Sequence, residues 1–174
     1  MRKKRLLQLT AALLCAVILS ACGGAPADAD RTCTVSISCA TILDNMDQCA
    51  ESKKELVPAD GVILPSTEVA FAEGESAFDV LQRVCRDNGI HLESKFTPVY
   101  NSAYIQGIHN IYEFDVGKLS GWMYAVNDWF PNYGCSLYQV QDGDVIRWVY
   151  TCDLGADVGG GQAAGDGQQE GAST

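Results

Sequence analysis

Apolar and polar residues alternate from Thr32 to Leu43. Cys33, Val35, Ile37 and Cys39 fall on one face, and Thr34, Ser36 and Ser38 on the other, which is the period of a half-buried strand. Asp44–Asp60 is charged and irregular, and Val62–Phe71 reads as a second strand whose Pro65, lacking an amide donor, confines its first half to an edge or a bend. The period then changes. Ser76 is placed as an N-cap with Asp79 three residues on, a capping-box spacing, and Phe78, Leu81, Val84 and Cys85 form a helical stripe that Asn88-Gly89 ends. His91–Tyr100 alternates as a strand with Leu92, Ser94 and Phe96 on one side. Ala103–Ile108 is a short strand, and Asn110–Leu119 is a connection with Tyr112 and Phe114 as core anchors. Gly121–Asn127 and Asp144–Cys152 are strands flanking an irregular segment rich in Pro, Gly and Asn. One helix among strands predicts an α+β fold: a β-grasp-like mixed sheet packed by a single helix, with the apolar last strand (Val145, Ile146, Trp148, Val149) central beside the first.

The chain ends lack this patterning. Arg2-Lys3-Lys4-Arg5, then the apolar run Leu6–Leu19, then Leu19-Ser20-Ala21-Cys22 resemble a bacterial lipobox. The run is too short to span a bilayer comfortably. Residues 1–21 are therefore expected to be a lipoprotein signal peptide, with Cys22 as the lipidated residue. Residues 22–31 are a flexible tether, 32–153 the folded domain, and 154–174, with almost no bulky apolar side chain, a disordered tail. The expected location is the extracytoplasmic face of a bacterial cell membrane, lipid-anchored.

Charge and cysteine content add to this. Four basic residues and no acidic one lie in 1–21, which leaves 8 Lys+Arg against 22 Asp+Glu, a net of −14. Such a surface argues against nucleic acid as a partner. Of eight cysteines, Cys15 leaves with the signal and Cys22 takes the lipid. Cys33, Cys39, Cys49, Cys85, Cys135 and Cys152 form an even set, expected to make up to three stabilising disulfides. No C-x-x-C pair occurs and His91 and His109 stand apart from the cysteines, so no metal site is expected.

All three Trp and four of the seven Tyr lie within Gly121–Thr151. The segments Ser76-Ala77-Phe78-Asp79-Val80-Leu81, Ala103-Tyr104-Ile105-Gln106-Gly107-Ile108, Gly121-Trp122-Met123-Tyr124-Ala125-Val126-Asn127 and Tyr138-Gln139-Val140-Gln141-Asp142-Gly143-Asp144-Val145-Ile146 together resemble the DUF4430 family, the transcobalamin-like C-terminal domain of bacterial surface proteins. The resemblance covers about residues 32–153. It implies a β-grasp-like fold related to the small domain that covers one face of the corrinoid in cobalamin carriers, where a large helical domain grips the rest. These 174 residues leave no room for such a helical domain. The resemblance therefore implies a different ligand, weak binding alone, or a cap on a corrinoid held by a partner. By matching position it marks Tyr104, Gln106, Trp122, Tyr124, Trp129, Phe130, Asn132 and Tyr133 as ligand contacts. Two assignments of the Gly121 strand stay open: Met123 and Val126 inward with Trp148, leaving Trp122 and Tyr124 outward, or the reverse.

No nucleophile elbow, P-loop, dinucleotide fingerprint or H-E-x-x-H occurs, and Asp142 and Asp144 around Gly143 read as turn formers. The expectation is a non-enzymatic lipoprotein with no catalytic cofactor. It would bind a small molecule such as a corrinoid, alone or with a surface or transporter protein. The competing expectation is a cell-surface interaction or adhesion domain without a small-molecule ligand.

Overall fold

The computed structural model describes residues 31–160. The expected signal peptide, the lipidation site Cys22, the tether before Arg31 and tail residues 161–174 lie outside the described residues. The chain forms β1 (Arg31–Ser38), β2 (Val62–Phe71), α1 (Ala77–Asp87), β3 (Leu92–Thr97), β4 (Ser102–Ile108), β5 (Ile111–Tyr112), β6 (Gly121–Val126) and β7 (Val145–Thr151), with short 3₁₀ turns at Ala40–Asn45, Glu51–Leu56 and Ala156–Val158.

The class is α+β, with two sheets where the sequence predicted one. The first has the order β2-β1-β7-β6, and the second has the order β3-β4-β5. In the first sheet β1 and β7 pair in parallel and the outer strands pair antiparallel. The last strand is therefore central beside the first, as its apolar density required. β2 is an edge strand, and Pro65-Ser66 stand opposite the single residue Ser36, a bulge that accommodates the missing proline amide. The second sheet is separate because β4 turns back at once. His109 and Asn110 both take positive φ (56° and 59°) between the paired residues Ile108 and Ile111, a two-residue turn that closes β5 onto β4.

α1 begins as predicted. The Ser76 hydroxyl accepts from the Asp79 amide, and the Asp79 carboxylate accepts from the Ser76 amide. Its buried stripe is Ala77, Val80, Leu81, Val84 and Cys85, with Phe78 at the margin. This stripe shares one core with Val35 and Ile37 of β1 and with Ile146, Trp148 and Tyr150 of β7. Trp148 is 2% exposed.

Four expectations change, and the face of β3 that carries Phe96 is left open at its outer end. The six cysteines are free thiols, five buried and Cys152 partly so, and they pack as small apolar side chains rather than as disulfides. Burial pushes Cys33 to about 11 and Cys39, Cys85 and Cys135 to about 12. Phe114 is exposed in a turn (φ 70°) and Tyr112 is half-buried; the anchoring is done by Ile111 and Val116. Phe96 points to solvent at the outer end of β3. On β6, Trp122, Tyr124 and Val126 share the face turned to the main core, so the outward placement of Trp122 and Tyr124 is overturned. Finally, residues 154–160 are ordered. The Gly155 amide donates to Thr151 Oγ1, Asp157 accepts from the Thr151 hydroxyl and the Cys152 amide, and Val158 packs against Ala125, Phe130 and Val149 on the far face of the sheet.

Candidate cleft beside strand β4

The segment after β6 is less irregular than its composition suggests. Asn127 and Asp128 both have positive φ (49° and 67°), and the amides of Val126 and Trp129 each donate to the other's carbonyl. This is a two-residue hairpin turn, a conformation Asn and Asp tolerate better than most residues. The Asn127 side chain locks it by donating to Asp144 Oδ1 and accepting from the Val145 amide. Asp128 pairs with Arg147 at 2.9 Å. The buried Asp144 carboxylate also accepts from the Tyr138 hydroxyl and the Gln141 amide, so both ends of the 127–144 connection are tied to one group.

Its middle is pinned onto β4. The Ser136 hydroxyl accepts from the Ala103 amide and lies 2.9 Å from Ser102 Oγ. Gly134 runs so close that a Cβ there would sit 1.8 Å from Ser102 Oγ, so only glycine fits. From below, the Tyr124 hydroxyl donates to the Tyr133 carbonyl at 3.0 Å.

Between this connection and the β3–β4 hairpin lies a cleft in two parts. The outer part, about 290 Å³, is lined by Thr97, Tyr100, Ser102, Ala103, Tyr104 and Pro131–Gly134. The inner part, about 190 Å³, runs over Ile105, Trp122, Met123, Tyr124, Cys135 and Trp148. Ala103, Tyr104, Pro131 and Gly134 border both parts, making one groove along β4. Aromatic rings stand exposed along its outer portion: Tyr100 at 73%, Tyr104 at 41% and Tyr133 at 39%. Trp129, 53% exposed, meets Tyr133 edge-on with centroids 6.0 Å apart, extending the wall beyond the cleft. Partial burial, together with the Glu113 carboxylate to which the Tyr104 hydroxyl donates, pushes that phenol up to about 12. The ring is held in place, and the Lys95 ammonium lies 5.4 Å from its centroid.

The groove thus gathers Tyr104, Asn132 and Tyr133, with Trp129 beside them. Trp122 and Tyr124 contribute to the inner floor, but their main role is structural. Tyr124 stacks on Trp148 at 5.5 Å, and the Trp122 indole donates to the Ile111 carbonyl. Phe130 borders neither part of the groove. It turns to the opposite face of β6 and fills the small cluster with Ala125 and Val149. Gln106 borders neither part of the groove; its carbonyl accepts from the Glu113 amide. Thr97, Tyr100, Ser102 and Gly134 were missed. The strand break at Asn101-Ser102 was the available signal, since a hairpin there brings both its flanks to the rim. Among the described residues, no group of three or more His, Cys, Asp or Glu side chains is gathered for a metal ion.

Solved structures are similar to this chain to different degrees. The crystal structure of haptocorrin in complex with Cbi superposes with a TM-score of 0.53 at 14% identity. The match covers 78% of this chain and 28% of that one. The likeness is therefore one of fold, and this chain spans less than a third of haptocorrin's length. A "putative metal binding protein from Ruminococcus gnavus ATCC 29149" matches with a TM-score of 0.41 at 15% identity, over 70% of this chain and 97% of that one. No curated protein sequence matches. Residues 74–152, from the approach to α1 through the end of β7, match the family model described as "Domain of unknown function (DUF4430)". These residues build α1, the second sheet, the groove and β7, so the stretch that is similar to the DUF4430 model is the one that forms the groove.

Proposed function

We propose that this protein is a non-enzymatic binding lipoprotein, anchored through Cys22 on the outer side of a bacterial membrane, whose β-grasp-like domain caps one face of a corrinoid. The observation that carries this reading is the groove along β4, with an exposed aromatic wall carried by β4 itself, by the β3–β4 hairpin and by a connection hydrogen-bonded to β4 and β6. Flat rings presented at low entropic cost suit a large planar ligand. The groove's two parts, about 290 and 190 Å³, are too small to enclose a corrinoid and seat only part of it. A cap of this size implies weak binding alone and tighter binding where a second body holds the other face. Phe96 and Val99, exposed at the β3–β4 tip beyond the groove, favour such a body being a protein.

Non-catalytic action is supported by chemistry. The residues lining the groove include no carboxylate, histidine or lysine. Cys135, the one thiol there, is held protonated by burial.

Absorbance titration of the purified protein with cobinamide and with cobalamin tests the reading. A saturable change in the corrin bands is expected. No change at millimolar ligand, with capture of a cell-surface protein that depends on Trp129, would replace it with the adhesion reading.

A further inference from the structure

The groove's charge pattern bears on what kind of ligand edge it accepts. The chain carries 22 acidic residues, yet neither 94–112 nor 129–141, the two stretches that build the groove's walls, contains an Asp or Glu. None of the lining residues is charged in either sense. What lines the outer part instead is neutral and polar. The Thr97 hydroxyl, the Tyr100 and Tyr133 hydroxyls and the Asn132 amide border it, and none of these four side chains has a hydrogen-bond partner among the described residues. The other hydroxyls nearby are occupied: Ser102 by Ser136, Tyr104 by Glu113 and Tyr124 by the Tyr133 carbonyl.

Four free neutral donor-acceptors around an apolar groove match a ligand edge that both donates and accepts. A carboxylate presents acceptors only, and it would lose water here with no cation in the lining to replace it. The net charge of −14 on residues 22–174 opposes it further. Lys95 is the one lysine or arginine on these two stretches. It stands outside the lining, over the Tyr104 ring whose hydroxyl meets Glu113, so its field is largely balanced there.

We infer that the outer groove is a subsite for uncharged carboxamide groups at a ligand's periphery and discriminates against the corresponding carboxylates. This deepens the proposed ligand-binding role and rests on it, since it assigns the chemistry of the edge the groove grips.

The test uses fragments, so that it does not depend on the corrinoid. Propionamide and sodium propionate are titrated at matched ionic strength into the ¹⁵N-labelled full-length chain. The Asn132 side-chain amide signals are followed, assigned with Asn132→Asp. Propionamide is expected to move these signals saturably and propionate to move them several-fold less. Asn132→Asp, on an exposed side chain and read on the Tyr133 and Gly134 backbone amides, is expected to weaken propionamide binding by about three- to tenfold without changing Tm. An equal or larger response to propionate, or none to propionamide, overturns the inference. A propionate response that disappears in Lys95→Met also overturns it, by assigning the groove an anion. A propionamide-selective response alongside no corrinoid binding supports the subsite and removes the corrinoid. Corrinoid binding with equal fragment responses leaves the corrinoid and removes the subsite.

Discussion

At the scale of single residues, the aromatic run divides by face. Trp129 and Phe130 are adjacent, yet one is 53% exposed and the other 5%. Trp129→Ala should leave stability within about 0.5 kcal/mol of wild type and weaken ligand binding. Phe130→Ala empties the cluster with Ala125 and Val149 and should cost about 3–5 kcal/mol. Thermal melts beside ligand titrations separate the two. Gly134→Ala forces a methyl into Ser102 and should cost about 1–3 kcal/mol while lifting the connection off β4; the melt is expected to shift down and binding to fall with it. Sequence spacing had Trp122 and Tyr124 on one face but could not orient that face. The partners that orient it, Ile111 for the Trp122 indole and Trp148 for the Tyr124 ring, are distant in the chain.

At the scale of elements, turn conformation organises the groove. Asn127-Asp128 and His109-Asn110 are both two-residue turns with positive φ. Replacing Asn127 with Ala puts a strained backbone under a side chain without the two locking hydrogen bonds. It should cost about 1–3 kcal/mol and raise amide exchange from Asn127 to Gly134, measurable by hydrogen-exchange mass spectrometry. No increase there would mean that the Ser136–Ala103 attachment alone holds the connection. The helix, β1, β2 and the central place of β7 were legible because capping and alternation are local signals. The separate second sheet was not. His109-Asn110 lacks the glycine that usually marks such a turn, and two-residue β5 is too short to show a period.

At the scale of the whole molecule, stability should depend on pH in a direction fixed by the thiols. Burial raises the folded-state values of Cys33 (about 11) and of Cys39, Cys85 and Cys135 (about 12) above the ordinary 9.0. Below pH 9 both folded and unfolded chains keep these thiols neutral, so their contribution is fully present. Above it the unfolded chain releases protons first, so stability falls as pH rises from 9 toward 12. Melts between pH 7 and 11 should show Tm declining above 9, and a flat profile there would contradict buried free thiols. The cysteine count suggested disulfides because an even set in an exported chain commonly pairs; which sulfurs meet is a property of packing that no count contains. Whether the groove binds a corrinoid is decided by calorimetric titration of cobinamide into the wild-type chain and into Trp129→Ala and Tyr133→Ala. Saturable heat is expected for the wild type, with several-fold weaker binding for both variants at unchanged Tm. Absence of heat in the wild type, or undiminished binding in both variants, would contradict corrinoid binding in the groove.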